Sequence, residues 1–187
     1  MNLDGSIPDD NPDPTNYEYT TEHRNPQGLV QIPNGNIFNS EHGQIGNDEI
    51  NLLVSGENYG WPAFDGDECI GVGPGADSCV SETYTYVSPL RSSMSPPCGV
   101  DYYNYEAIPE FNHSLLLGTL WATQSLEIHT LNEDGTELTD FNSHFAFEYG
   151  RIRDLVVATD GSVYFIGFDR LPETAIYRLY NPEFSSI

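Results

Sequence analysis

The stretch LVVATDGSVYFIGF, residues 155–168, reads as strand, tight turn, strand. Apolar and β-branched residues flank an Asp-Gly pair, which is the strongest short-range signal for a β-hairpin. The same pattern stands earlier in the chain. Leu29-Val30, Asn34-Gly35 and Ile37-Phe38 match Leu155-Val156, Asp160-Gly161 and Val163-Tyr164 at identical spacing, 126 residues apart. A second pair precedes each copy: Asn2 to Ser6 and Asn132 to Thr136, both around an Asp-Gly turn, with an offset of 130 residues. An offset of 126 is three times 42, and about 40–50 residues is the size of one four-stranded propeller blade. In the later copy the run 125–131 leads into the Asp-Gly turn, whereas only Met1 precedes Asn2. The chain therefore reads as starting in the middle of a blade.

Working outward, short β-rich runs fill the sequence: 28–32, 36–40, 50–54, 83–87, 100–105, 114–120, 125–131, 144–149, 155–158, 162–168 and 175–180. Asn34-Gly35, Asp134-Gly135 and Asp160-Gly161 are expected as two-residue hairpin turns. No window shows convincing helical spacing. The class is all-β and antiparallel. On these residues alone a β-propeller and a β-sandwich both stay open.

The chain has 187 residues, 29 acidic and six basic, for a net charge of −23, and every basic residue is Arg. Nucleic acid is excluded as a partner, because neutralising phosphates needs clustered Lys and Arg. The charge reads first as a salt-adapted surface, with divalent-cation binding as its functional competitor. With 12% aromatic and 38% apolar residues, there is enough to bury a core. No window approaches 18 apolar residues, so no helical membrane span is expected. The first residues, MNLDGSIPDDNPDP, have neither the basic nor the apolar region of a signal peptide. Cys69 and Cys79 flank a Gly-rich loop that a disulfide could close, or both are free thiols; Cys98 is left over.

A family comes into view at EHRNPQGL (22–29), SEHGQIGNDEINLL (40–53) and SGENYGWP (55–62). LDGSIPDDNP (3–12), PPCG (96–99), LLLGTL (115–120) and GRIRDLVVATDGSVYFI (150–166) extend the match in order. The chain resembles the soluble glucose and aldose sugar dehydrogenases that use pyrroloquinoline quinone (PQQ) on a six-bladed propeller. The resemblance covers about the C-terminal half of that propeller. It implies a single partial β-propeller domain over 1–187, about three blades, acting in the periplasm or outside the cell.

PQQ is a tricarboxylate, and only Arg offers a planar fork that holds carboxylates bidentately. By resemblance Arg24, Asn25, Arg151 and Arg153 contact the cofactor. Simple strand alternation would put Arg151 and Arg153 on one face. Without the family, these three Arg read as surface ion pairs. Trp121 stands where glucose-oxidising members place a Lys, and is expected either to stack on the cofactor or to fill core. The resemblance assigns the main-chain oxygens of Gly43 and Gln44 to a Ca²⁺ that polarises PQQ. It assigns Asp48, Glu49 and the main chain around Tyr59 to structural calcium. Calcium takes six to eight hard oxygens, which such a loop can supply. The family usually has Pro where Gln44 stands, and Ser where Cys98 stands. The general base of the family, a His that takes the sugar's hydroxyl proton, falls in the half not covered. None of His23, His42, His113, His129 and His144 matches it, so no catalytic residue is expected in this chain.

The expected partners are an aldose and an external electron acceptor, together with the missing N-terminal half or a second copy across open blade edges. A non-catalytic propeller that binds a protein or glycan is the competing reading, since a fold does not fix function. The Arg set separates the two, because a pure binding module has no need of it.

Overall fold

The structure is a computed structural model that describes residues 1–71, 84–168 and 174–184. Its frame is set by the repeated turns. Ile32 N–H donates to Asn36 O at 2.9 Å and Gly35 N–H to Ile32 O at 3.0 Å; 126 residues later Ala158 N–H donates to Ser162 O at 2.8 Å and Gly161 N–H to Ala158 O at 2.9 Å. Asn34 Oδ1 accepts from Asn36 N–H and Asp160 Oδ1 from Ser162 N–H, at 3.0 and 2.9 Å. Both are three-residue loops with only the glycine left-handed, φ 98° at Gly35 and 77° at Gly161. The two-residue turns expected from sequence would need Asn34 and Asp160 left-handed as well.

Three antiparallel sheets stack as blades. The first has β1 (Pro26–Gln31), β2 (Ile37–Glu41) and β3 (Asp48–Leu53), with β6 (Arg91–Ser93) on its outer edge. A small hairpin of β4 (Phe64–Asp65) and β5 (Glu68–Cys69) lies in the intervening loop. The second blade runs β7 (Pro97–Tyr103), β8 (Ser114–Thr119), β9 (Leu126–Leu131) and β10 (Leu138–His144). The third shows β11 (Arg151–Val157), β12 (Val163–Phe168) and β13 (Thr174–Leu179). β1 packs on β7 and β7 on β11, so these three are the innermost strands. This is the arrangement of a β-propeller and not of a two-sheet sandwich.

The cores lie between blades. Phe38, Ile50, Val100, Leu115 and Leu117 fill the space between the first and second. Leu116, Leu126, Ile128, Ile152, Leu155 and Val163 fill the space between the second and third. The run Leu115-Leu116-Leu117 is continuous because β8 is buried on both faces: alternate side chains enter different cores. A Cβ on Gly118 would stand 2.6 Å from Ile152 O, so this glycine is what allows β8 and β11 to approach.

Two expected strands fail. Of the expected strand 144–149, only His144 is in a strand, the last residue of β10; residues 145–149 turn, with Phe145 and Phe147 both left-handed at φ 62°. Their alternating aromatics pack locally instead: Phe145 and Tyr149 meet Phe165. Besides the short β4, β5 and β6, the sequence pattern misses β10, just before it, whose polar sequence LTDFNSH suits an outer edge exposed on both faces. Of the expected strand 83–87, the described residues from Tyr84 onward are irregular. Among the described residues no helix is long and apolar enough to cross a membrane. The expected Cys69–Cys79 bridge involves Cys79, outside the described residues; Cys98 is a free, buried thiol.

Candidate functional site

The innermost strands run in the same direction. The turn that ends β1 meets the turn that ends β9, through Asn34 Nδ2–H to Asp134 O at 2.9 Å. Tyr103, at the end of β7, donates its hydroxyl to Gly161 O, at the end of β11, at 2.9 Å. The starts of β1, β7 and β11 therefore share the opposite end. Arg24 and Asn25 lie just before β1, Cys98 lies in the start of β7, and Arg151 and Arg153 lie in the start of β11. Each innermost strand also carries a register shift there: between Pro26 and Gly28, between Pro97 and Val100, and between Ile152 and Asp154. Bulges of this kind re-aim side chains and cluster beside functional sites. Arg153 is the extra residue of the third, so simple alternation does not describe it. Ile152 and Leu155 both remain in the core around it.

The electrostatics of this end are unusual for the chain. Among the described residues, Arg91 and Arg178 pair with carboxylates, Glu127 and Asp160. Arg24, Arg151 and Arg153 form no ion pair with a carboxylate among the described residues, although the Arg24 charge is felt by the Asp48 carboxyl. Each lies over an aromatic ring instead: Arg24 over Trp61 at 5.2 Å, Arg151 over Trp121 at 4.3 Å and Arg153 over Phe168 at 5.8 Å. Arg24 Nε is buried with no hydrogen-bond partner. Three guanidiniums without an ion-pair partner among the described residues are suited to an anionic ligand. Trp121 is 56% exposed, so it is not core. Asn25 Oδ1 accepts from Gln27 Nε2–H at 2.8 Å, and Asn25 O from His42 N–H at 3.1 Å. Burial pushes the Cys98 thiol up, and the nearby Arg153 guanidinium opposes that shift.

The loop joining β2 to β3 lies at the same end and carries Gly43 and Gln44. A Cβ on Gly43 would fall 1.9 Å from Gly46 O, so the tight return of this loop requires glycine. Gly43 N–H donates to Asp48 Oδ1 at 3.2 Å, and Gln44 N–H to the Asp65 carboxylate at 3.0 Å. Asp48 Oδ2 is buried without a partner, and burial raises the Asp48 carboxyl. Asp48 and Glu49 are neighbours on β3 and face opposite ways. Glu49 accepts from Gly66 N–H at 2.7 Å and Asn51 Nδ2–H at 3.0 Å. Burial, then a hydrogen bond shared with Glu41 on the facing strand, pushes Glu49 up to about 8. The Tyr59 hydroxyl donates to Leu52 O at 2.7 Å and its ring stacks on His23. Among the described residues, no three His, Cys, Asp or Glu side chains converge on a metal position.

Trp61 against Arg24, and His42 between Arg24 and Pro97, were not expected from the sequence. Local sequence carries no signal for either role, since both contacts cross between distant segments.

A family model described as Glucose / Sorbosone dehydrogenase matches residues 1–172. The chain is 33% identical over 180 residues to aldose sugar dehydrogenase YliI of Escherichia coli, covering 86% of this chain and 44% of that protein. It is 57% identical over 65 residues to quinoprotein glucose dehydrogenase B of Acinetobacter calcoaceticus, 33% of this chain and 14% of that one. Among solved structures, a glucose dehydrogenase superposes with TM-score 0.78 at 28% identity, covering 100% of this chain and 53% of that chain. The PQQ-bound aldose sugar dehydrogenase of Streptomyces coelicolor superposes with TM-score 0.72 at 25% identity, covering 95% and 49%. The chain spans about half the length of these last two structures. With the family model matching most of its length on a propeller scaffold, the chain belongs to the glucose/sorbosone dehydrogenase family.

Proposed function

We propose that this chain supplies the cofactor clamp of a PQQ-dependent dehydrogenase that oxidises an aldose at C1 and passes electrons to an external acceptor. The observation that carries it is the trio Arg24, Arg151 and Arg153, each over an aromatic ring and without an ion pair among the described residues, at one end of the innermost strands. A tricarboxylate fits such a set. Arg24 with Asn25, and Arg151 with Arg153, would grip its carboxylates from two sides, and the exposed Trp121 offers a ring face to a flat ligand. When bound, PQQ would supply the hydride acceptor.

Calcium belongs to the same reading. The resemblance groups Asp48 with Glu49 at structural calcium, but the two face opposite ways on β3; the partnerless, buried Asp48 Oδ2 would instead join the main-chain oxygens of Gly43 and Gln44 around a hard cation. Glu49 and Tyr59 would serve a separate structural position on the other face of β3. The proton acceptor would come from outside these residues. His23, His42, His113 and His129 are each hydrogen-bonded within the scaffold, and His144 packs on Phe111 and Phe145. A periplasmic or extracellular setting goes with this reading.

The test is titration of the chain with PQQ, with and without Ca²⁺. The only two tryptophans, Trp61 and Trp121, both lie against clamp arginines, so intrinsic fluorescence reports binding directly. Arg24→Ala and Arg151→Ala should each weaken binding about 10- to 100-fold, the worth of a charged hydrogen bond. The chain alone should oxidise no aldose. An absence of saturable PQQ binding would sink the proposal.

A further inference from the structure

Arg24 precedes β1, in a segment with no regular structure of its own. Something other than a strand ladder must hold it. Its Nη1 donates to His42 O at 3.0 Å. His42 N–H in turn donates to Asn25 O at 3.1 Å. The main chain of His42 thus grips both Arg24 and Asn25. Its side chain reaches in another direction: His42 Nε2 lies 2.7 Å from Pro97 O, at the start of β7 in the next blade. A carbonyl can only accept, so Nε2 carries the proton. One residue therefore ties three segments together at the end where the guanidiniums gather.

We infer that His42 is a positioning residue: its imidazole anchors the β2–β3 loop to β7 and so fixes where its carbonyl presents Arg24 to an anionic ligand. That the ligand is PQQ rests on the function proposed above; the positioning of Arg24 does not. Two features favour this over simple packing. Arg24 Nε is buried and free, which is useful only if the guanidinium is held in place. The blade boundary already has another hydrogen bond nearby, Ser40 Oγ–H to Cys98 O at 3.0 Å, so cohesion there does not depend on His42 alone.

The experiment compares wild type, His42→Ala, His42→Gln and Ser40→Ala in the full chain. Gln retains a terminal N–H that reaches as imidazole Nε2 does. Ser40→Ala removes a hydrogen bond across the same boundary without touching Arg24. The first readout needs no ligand: the ¹⁵N NMR signal of the Arg24 Nε–H, assigned by its loss in Arg24→Ala. It should collapse toward the free-arginine position in His42→Ala, return in His42→Gln and stay put in Ser40→Ala. The second readout is PQQ affinity, expected to fall about tenfold in His42→Ala and to recover in His42→Gln. If His42→Ala does not fold, His42→Asn replaces it, because its shorter amide cannot reach Pro97. An unchanged Arg24 signal in the Ala or Asn variant overturns the inference. So does an equal response in Ser40→Ala, which would mean general loosening. If the Arg24 signal responds as expected while no variant and no wild type binds PQQ, the positioning role stands and the dehydrogenase reading falls.

Discussion

Replacing Arg91 with Met should destabilise the chain by about 3 kcal/mol. Arg91 stands on β6, the outer edge of the first blade, and reaches Glu127 and His129 on β9 of the second. Glu127 is almost fully buried, and its carboxylate is held by Ser95 Oγ at 2.7 Å, His129 Nε2 at 3.0 Å and Arg91 Nη1 at 3.2 Å. Arg91 Nη1 lies 2.9 Å from His129 Nε2 and 3.1 Å from Nδ1; with the Nε2 proton directed to Glu127 at 3.0 Å, only Nδ1 of a neutral ring can accept from Arg91. Breaking a buried ion pair by removing one partner costs about 3–5 kcal/mol. The low end applies because the Arg91 side chain is 25% exposed and two other donors stay on Glu127. Its stack over Phe141, at 4.1 Å, is lost as well. The assay is urea unfolding at pH 7, checked by a thermal midpoint lower by about 6–12 °C. A double-mutant cycle with Glu127→Gln should return about 2 kcal/mol of coupling. The pH dependence sharpens the test. Burial lowers His129 below its usual 6.5. The unfolded chain then takes up a proton that the folded one refuses. Stability conferred by the neutral ring is complete above pH 6.5 and falls as pH drops toward the folded value, by about 1.4 kcal/mol per unit. Without Arg91, His129 can protonate against Glu127, so the acid slope in Arg91→Met should be shallower. A loss below about 0.5 kcal/mol, or strict additivity in the cycle, would refute the network.

Two further outcomes test other parts of the structure. Gly118→Ala would place a Cβ 2.6 Å from Ile152 O and should cost about 1–3 kcal/mol by pushing β8 from β11, read as a lower urea midpoint; a neutral substitution would contradict the close packing of these blades. Saturating Ca²⁺, at about 100 times its dissociation constant, should raise the stability of wild type by about 2.7 kcal/mol, and Asp48→Asn should lose much of that gain. If Ca²⁺ moves neither midpoint, the calcium part of the proposal is wrong.

Much of the fold was legible in the residues. The Asn/Asp-Gly turns recur at an offset of 126, and the structure repeats their hydrogen bonds at the same offset. The run Leu115-Leu116-Leu117 falls in the expected strand 114–120, and the structure shows it buried on both faces. What misled was polarity and alternation taken alone. β10 is an outer edge, so its side chains needed no apolar pattern. The aromatics of 144–149 alternate as a strand would, yet two left-handed Phe turn the chain so that its rings pack on Phe165. The candidate arginines could be named from motifs, but not their condition. That Arg24, Arg151 and Arg153 meet rings and not carboxylates depends on which acids the blades bring near them.

The sequence by itself determined the all-β class, the blade-sized repeat and the places of the turns, because strand periodicity and glycine turns are decided within about ten residues. Only the tertiary structure decided the bulges that re-aim the starts of the innermost strands, the freedom of the three guanidiniums and the bond from His42 to Pro97. Those features arise where segments tens of residues apart are stacked by the burial of the inter-blade cores, and no local pattern encodes that juxtaposition.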